Sequence, residues 1–290
     1  MKQNRLCLGT VNFGLEYGPG SRKLTYDDIE SLLKYSQEIG VDFLDTARGY
    51  GDSEALLGQF VDLIKNSNIV SKLSMKGLDS VEEVINKLRD SLKLLKRKGI
   101  YCILLHDTEA ALTDAKKIKI FQQSMFLAVE TGLIQTFGYS VYSLEEIYQL
   151  GELDYPILNL QVPENVLDRR LINSEPLLKL SKAGCTIFVR SLFLQGYLSN
   201  PQIDNSLRGE MKVFLESFHS RCSDLGLSPA RVSLAYFNSL KWAKYAVVGC
   251  DSRKHLKDNF ETLNSDILPE DFYSSLPQLP PHLVDPRRWS

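Results

Sequence analysis

Eight short apolar segments recur along this 290-residue chain, and stretches with helical spacing separate them. The apolar segments fall at 5–9, 42–46, 68–73, 100–106, 134–140, 156–162, 185–190 and 245–249. The helical stretches occupy 25–39, 53–65, 80–97, 115–131, 143–150, 173–183, 207–225 and 228–241. Strands that alternate with helices pair in parallel, because each helix is a crossover that returns the chain to the same starting edge. Eight such units over this length predict an α/β fold, a (β/α)8 barrel with eight parallel strands. An open, doubly wound sheet is the rival. It would usually carry a glycine-rich phosphate turn after its first strand, and GLEYGPG at 14–20 neither reads G-x-G-x-x-G nor opens a helix directly.

Local signals fit the alternation. Thr25 with Asp28, and Ser80 with Glu83, have the spacing of N-terminal capping boxes, and Gly40 and Gly99 close those two helices. Ser228 and Pro229 read as a cap followed by proline at the first helical position. Pro156 is expected to open the sixth strand, where its missing donor is tolerable. The tail from 265 to 290 is rich in proline, yet Phe272, Tyr273, Leu276, Leu283 and Trp289 suit packing. It is expected to lie near the barrel mouth, within a single domain spanning 1–290.

Composition narrows the function classes. The net charge is −2 and no basic block exceeds three residues, which speaks against a nucleic-acid partner. The start has no apolar leader region, and no run approaches the ~18 apolar residues of a membrane span, so a cytoplasmic protein without a membrane partner is expected. Cys7, Cys102, Cys185, Cys222 and Cys250 are scattered, form no C-x-x-C pair, and are accompanied by only four histidines. Reduced buried thiols are expected, with neither a metal site nor a disulfide framework.

In such a barrel the carboxyl ends of the strands converge on one mouth. The second, third and fourth segments end in Asp45 with Tyr50, then Lys72, then His106. Taken singly, Asp45 reads as a helix cap, Tyr50 as a loop aromatic, Lys72 as a snorkelling lysine and His106 as a core histidine. Taken together they form a proton-donating set. A tyrosine of pKa ~10 is expected to be drawn down by a neighbouring ammonium. Asp45 would aim Lys72, and His106 would orient a substrate oxygen. The set has no nucleophile and no metal, which suits reduction of a carbonyl by an external hydride source.

DTARGYGDSE at 45–54 resembles the D-T-A-x-x-Y-G-x-S-E stretch of the aldo-keto reductases. Similar segments lie at 8–10, 132–140, 160–170, 190–198 and 247–260, so the resemblance spans nearly the whole chain. It implies a nicotinamide-dependent (β/α)8 barrel whose Asp-Tyr-Lys-His tetrad falls on Asp45, Tyr50, Lys72 and His106. It further implies a cofactor track along Thr10, Asp45, Ser140, Gln161, Arg190, Ser191, Phe193, Gln195, Gly196, Gly249, Ser252, Arg253 and Asn259. Ser140 and Gln161 would hold the carboxamide, and Arg190 would lie flat on the ring in place of an aromatic residue. Val141 replaces the family's usual asparagine, which removes one carboxamide bond. Arg253 favours NADP and Asp251 opposes it, so NADP is the expectation with NAD open.

The implied activity is NADP(H)-dependent reduction of an aldehyde or ketone to an alcohol, with Tyr50 as proton donor. Val11, Phe13, Arg48, His106 and Trp289 are the candidate substrate contacts. Arg48 either reaches the substrate or points to solvent. Together with Asn12 and Glu16 it leans toward a sugar-like small-molecule carbonyl. Two other readings stay open: a nicotinamide-binding regulatory subunit with little turnover, and a redox-neutral lyase or epimerase that retains its cofactor. The oligomeric state is not legible in the sequence.

Overall fold

The structure, a computed structural model, describes residues 4–200, 209–264, 268–280 and 282–285. Eight strands form one closed parallel barrel in chain order. They are β1 (Leu6–Gly9), β2 (Phe43–Asp45), β3 (Asn68–Leu73), β4 (Ile100–Leu105), β5 (Ile134–Ser140), β6 (Asn159–Pro163), β7 (Thr186–Arg190) and β8 (Tyr245–Gly249). β1 closes the ring against β8, with Cys7 opposite Val247 and Gly9 opposite Gly249.

Side chains alternate along a strand, so each strand contributes every second residue to the lumen. Cys7, Phe43, Val70, Cys102, Leu104, Phe188 and Tyr245 pack together there, separate from the larger core between strands and helices. The Phe43 ring lies 4.5 Å from Tyr245 and 5.5 Å from Phe188. Two residues beyond Phe43, Val70, Leu104 and Phe188 come Asp45, Lys72, His106 and Arg190. The period of two therefore lifts four polar side chains onto an apolar, aromatic floor.

The two capping boxes form as the sequence predicts. Thr25 and Asp28 exchange hydrogen bonds at the start of helix Tyr26–Glu38, as do Ser80 and Glu83 at the start of helix Val81–Leu94. β6 begins at Asn159, three residues later than the sequence pattern suggests. Its neighbour β7 starts at Thr186, opposite Asn159, and the pairing of β6 with β5 begins only at Leu160, so neither ladder reaches Pro156. The helix beginning at Ser53 stops at Gln59 rather than 65, and successive turns carry the chain on to Ser67. Short helices at Val11–Gly14 and Thr108–Leu112 are too brief to show a period in sequence. Helix Arg253–Leu263 follows β8 and completes the outer layer.

The described part of the tail packs, as its apolar residues imply. Tyr273, Leu276, Leu279 and Val284 are buried. Leu279 N donates to Leu167 O, and the Arg169 guanidinium donates to the Leu276 and Pro277 carbonyls. Leu167 and Arg169 follow β6, so this docking is on the mouth side of the barrel. Trp289 lies outside the described residues. Among the described residues no helix is long and apolar enough to cross a membrane, and no cluster of metal-ligating side chains occurs.

Gly58 marks where helix Ser53–Gln59 meets helix Val81–Leu94. A Cβ built on Gly58 would stand 1.9 Å from the Leu94 carbonyl oxygen, so the two backbones could not keep this approach. Forcing that contact apart costs about 1–3 kcal/mol. Gly58→Ala is therefore expected to lower the urea unfolding midpoint by that much stability, and an unchanged midpoint would show that the helices are not in this contact.

Candidate active site

The mouth is assembled on the ends of β2 and β3. Beyond Asp45 the chain stays paired with β3, since Thr46 N donates to Val70 O and Arg48 N donates to Lys72 O. Thr10, at the end of β1, donates both its backbone N–H and its hydroxyl to the Asp45 carbonyl. The Ser53 hydroxyl lies 2.8 Å from the Thr10 hydroxyl and 3.0 Å from that of Thr46. Thr10 is thus buried and fully engaged by protein, and it fixes the backbone of Asp45.

Lys72 Nζ sits at the centre of the set. It donates to both carboxylate oxygens of Asp45 (2.8 and 2.7 Å), to the Thr46 carbonyl (3.0 Å) and to the Tyr50 hydroxyl (3.1 Å). Both members of the ion pair are almost wholly buried. Burial alone would discharge the ammonium, but Asp45 and Tyr50 outweigh it, and the net shift of Lys72 is upward. Lys72 is therefore charged at neutral pH. The same ammonium lies 4.8 Å from the centre of the Tyr50 ring.

Tyr50 departs from expectation in one respect. Burial pushes its hydroxyl up, Lys72 pulls it down, Asp45 pushes it up again, and the net direction is upward. The expectation of a pKa lowered below the ordinary value took the ammonium into account and not the loss of water around the phenol. The result is a tyrosine that holds its proton at neutral pH beside a cation ready to stabilise the phenolate. His106 meets Tyr50 edge to face, ring centres 6.1 Å apart. Burial, followed by the charges of Lys72 and Arg190, brings its imidazole down to about 4. It is neutral at physiological pH and retains one N–H to donate.

Across the lumen, Gln161 on β6 donates to Asp45 Oδ1 at 2.7 Å. Its side-chain oxygen is buried with no hydrogen-bond partner. Ser140 at the end of β5 is its neighbour in the sheet. An acceptor that is buried and unmatched is costly unless a ligand supplies the donor. The N–H2 group of a carboxamide is such a donor, so these two residues fit a nicotinamide amide.

Arg190 ends β7. Its guanidinium donates to the Val141 carbonyl (3.1 Å) and the Ser191 hydroxyl (3.3 Å), and its carbon lies 4.0 Å from the centre of the Tyr142 ring. The stacking partner it has here is Tyr142, which the sequence reading did not single out. Beyond Arg190 the backbone of Ser191, Leu194 and Gln195 is left-handed, with φ of 65°, 46° and 57°. Such backbone in non-glycine residues costs about 1–3 kcal/mol each and concentrates at ligand-holding loops. Phe193 is half-buried against the core, and Gly196 follows with φ 97°. Gly18, at φ 94°, presses on this loop so closely that a Cβ would stand 2.0 Å from the Gln195 carbonyl oxygen. Next to it Tyr17 lies within the electrostatic reach of Tyr50, Arg190 and Tyr142, and burial pushes its hydroxyl up.

The remaining expected contacts divide. Gly249 is exposed at the end of β8, and Ser252 caps helix Arg253–Leu263 by accepting from His255 N. Asn259 is buried and donates to the Cys250 sulfur. Arg253 turns away from the cap, donates to Glu38 at 2.8 Å and lies over the Tyr35 ring. Asp251 accepts from Asn12. Phe13 is completely buried in the core between strands and helices, so its place in a substrate pocket is corrected: it is a packing residue. Val11 is half-buried in the first turn after Thr10. Arg48 is half-buried. It faces Glu54, 3.8 Å away, a buried carboxyl that also accepts from the Ser71 hydroxyl on the outer face of β3.

The chain resembles known proteins along most of its length. The profile of the aldo/keto reductase family matches residues 5–279. The oxidoreductase sirO of Leptosphaeria maculans is 26% identical, covering 93% of this chain and 92% of that protein. Among solved structures, aldo-keto reductase AKR11C1 from Bacillus halodurans, in its holo form, superposes with a TM-score of 0.75 at 17% identity. That superposition covers 93% of this chain and 90% of the other. A thermostable aldo-keto reductase, Tm1743, solved with the inhibitor epalrestat, gives 0.67 at 22% identity and covers 93% of both chains. At those identities the structures speak for the fold alone. The sequence profile runs from the first barrel strand into the tail that docks beside the mouth, and on that extent the chain belongs to the aldo/keto reductase family.

Proposed function

We propose that this protein reduces an aldehyde or ketone to an alcohol with a nicotinamide nucleotide, and that Tyr50 donates the proton. The observation that carries the reading is the hydrogen bond of Lys72 to the hydroxyl of a protonated Tyr50, with neutral His106 at its edge. A bound reduced nucleotide would supply the hydride. The substrate oxygen accepts from the Tyr50 hydroxyl and from an imidazole N–H of His106. As negative charge builds on that oxygen, the Tyr50 proton passes to it, and the phenolate left behind rests against the Lys72 ammonium. Asp45 keeps Lys72 charged and aimed throughout, and Gln161 holds Asp45 in place. Donors fixed before the reaction need no reorganisation when charge develops.

Ser140 and Gln161 would bind the carboxamide, and the left-handed loop from Ser191 to Gly196 would line the pyrophosphate. Gly249, Ser252, Arg253 and Asn259 would meet the adenosine end. NADP is the finer part of the proposal and rests on Arg253. Its pair with Glu38 is exposed, and such pairs are worth about 0–1 kcal/mol, so a 2′-phosphate can take the guanidinium from it. The substrate is a small carbonyl compound. With Arg48 directed to Glu54, the lean toward sugars loses its main support.

Removal of the proton donor gives the central test. Tyr50→Phe is expected to reduce kcat about 10²–10⁴-fold across an aldehyde and ketone panel while nucleotide binding is kept. Undiminished turnover would end the assignment. For the nucleotide, fluorescence titration should show NADPH binding more tightly than NADH, with Arg253→Ala erasing the difference. Tighter binding of NADH by the unaltered protein would reverse it.

The neutral state of His106 sets the pH behaviour. Its imidazole titrates at about 4, so kcat/KM is expected to show no inflection near 6.5 on the acid side. An inflection there that vanishes in His106→Gln would contradict it. Because the folded value lies below the unfolded one, the buried neutral ring contributes stability in full above pH 6.5 and loses it as pH falls through about 4. His106→Gln should flatten the stability profile over that interval.

A further inference from the structure

Three arginines stand around the mouth or its rim. Arg48 faces Glu54 and Arg253 pairs with Glu38, whereas Arg190 forms no ion pair among the described residues. Its partners are a carbonyl, a hydroxyl and the face of Tyr142, all uncharged. The acids on the elements around it hydrogen-bond to other groups. Asp45 holds Lys72 and Gln161, Asp107 accepts from the Ser74 hydroxyl and Met75 N, and Glu146 accepts from Tyr142 N and the Ser143 hydroxyl. Asp45 pairs with Lys72, and Arg190 is a cation at the mouth that forms no ion pair among the described residues. That charge is felt at Tyr50, Tyr17 and His106.

A hydride donor working with Tyr50 must bring its reactive carbon to about 3–3.5 Å from the carbonyl carbon that Tyr50 serves. Arg190 ends β7 in the same lumen-facing register that carries Asp45, Lys72 and His106, so the donor's ring would share the mouth with the guanidinium. The reduced nicotinamide ring is neutral, and the oxidised ring is a cation. We propose that Arg190 sets the preference of this protein for the reduced over the oxidised nucleotide, its positive charge at the mouth repelling the cationic ring. This inference rests on the nicotinamide reading above and adds a direction to it: the oxidised product is weakly held and leaves, and the reduced form is retained. Two unit charges a few ångströms apart at a partly solvated site repel by enough to change affinity about tenfold to a hundredfold.

The test is isothermal titration of NADH, NAD+, NADPH and NADP+ against the unaltered protein, Arg190→Gln and Arg190→Lys. Glutamine keeps an N–H donor for the Val141 carbonyl and removes the charge, while lysine keeps the charge and removes the flat stack. The ratio of reduced to oxidised affinity is expected to fall about tenfold or more in Arg190→Gln, mainly through tighter binding of the oxidised form, and to be largely kept in Arg190→Lys. A ratio unchanged in Arg190→Gln overturns the proposal. So does a ratio that falls equally in both variants, which would make flat stacking and not charge the cause. A raised KM for carboxylate-bearing carbonyls with the ratio intact would assign the charge to an anionic substrate and overturn it as well. If the unaltered protein binds none of the four nucleotides, the nicotinamide reading itself fails, a result distinct from all of these.

Discussion

The buried pair of Asp45 and Lys72 is the interaction on which the rest of the mouth depends. Taking two charges out of water costs several kcal/mol per ion, and attraction offsets this only when every remaining donor and acceptor is matched. The barrel meets that condition closely. Lys72 directs its donors to two carboxylate oxygens, a carbonyl and a phenol, and Asp45 gains a further donor from Gln161. Removing one partner would leave the other as an unpaired buried charge, so the pair fixes the positions of Tyr50 and Gln161 together. The backbone beneath it is tied with equal care, through Thr10, Thr46 and Ser53.

Water exclusion has opposite effects on Tyr50 and His106, the two groups proposed to face the carbonyl. It raises the Tyr50 hydroxyl and lowers the His106 imidazole, and in both cases the neutral, proton-bearing form results. Two neutral donors converging on one oxygen can stabilise a growing negative charge without themselves needing a counter-ion. The aromatic floor of Phe43, Phe188 and Tyr245 supplies that dry setting from below. Closure by the segment around Gly18 against the left-handed loop at Gln195 adds to it from the side.

Much of this was legible along the chain. Closed parallel architecture follows from eight apolar runs alternating with helices, and seven of the strands lie within a residue or two of the apolar runs. The sixth does not, because where a strand begins depends on its neighbours: Asn159 faces Thr186, and neither ladder reaches back to Pro156. Helix starts at Thr25 and Ser80 were legible because capping is local, involving residues three apart. Phe13 was misplaced for the same kind of reason as Pro156. A residue one turn beyond a strand end can face the mouth or the core, and only the packing of the first turn against helix Ser53–Gln59 decides which.

The arginines show the limit most clearly. Arg48 stands inside the most telling motif of the chain, yet it faces Glu54, six residues on, whose other carboxylate oxygen accepts from the Ser71 hydroxyl of β3. Arg253 looked like a phosphate ligand and is paired with Glu38, more than two hundred residues earlier in the chain. Arg190 was expected to lie flat on the nicotinamide ring, and here its guanidinium carbon stands 4.0 Å from the centre of the Tyr142 ring, which follows β5, two strands away. By itself the sequence determined the fold, the four residues at successive strand ends and the helix caps, because periodicity and short-range hydrogen bonding are properties of the chain alone. Tertiary structure decided the ionisation of Tyr50 and His106, the partners of each arginine and which apolar residue faces the mouth, because burial and charge pairing depend on what the closed barrel brings together.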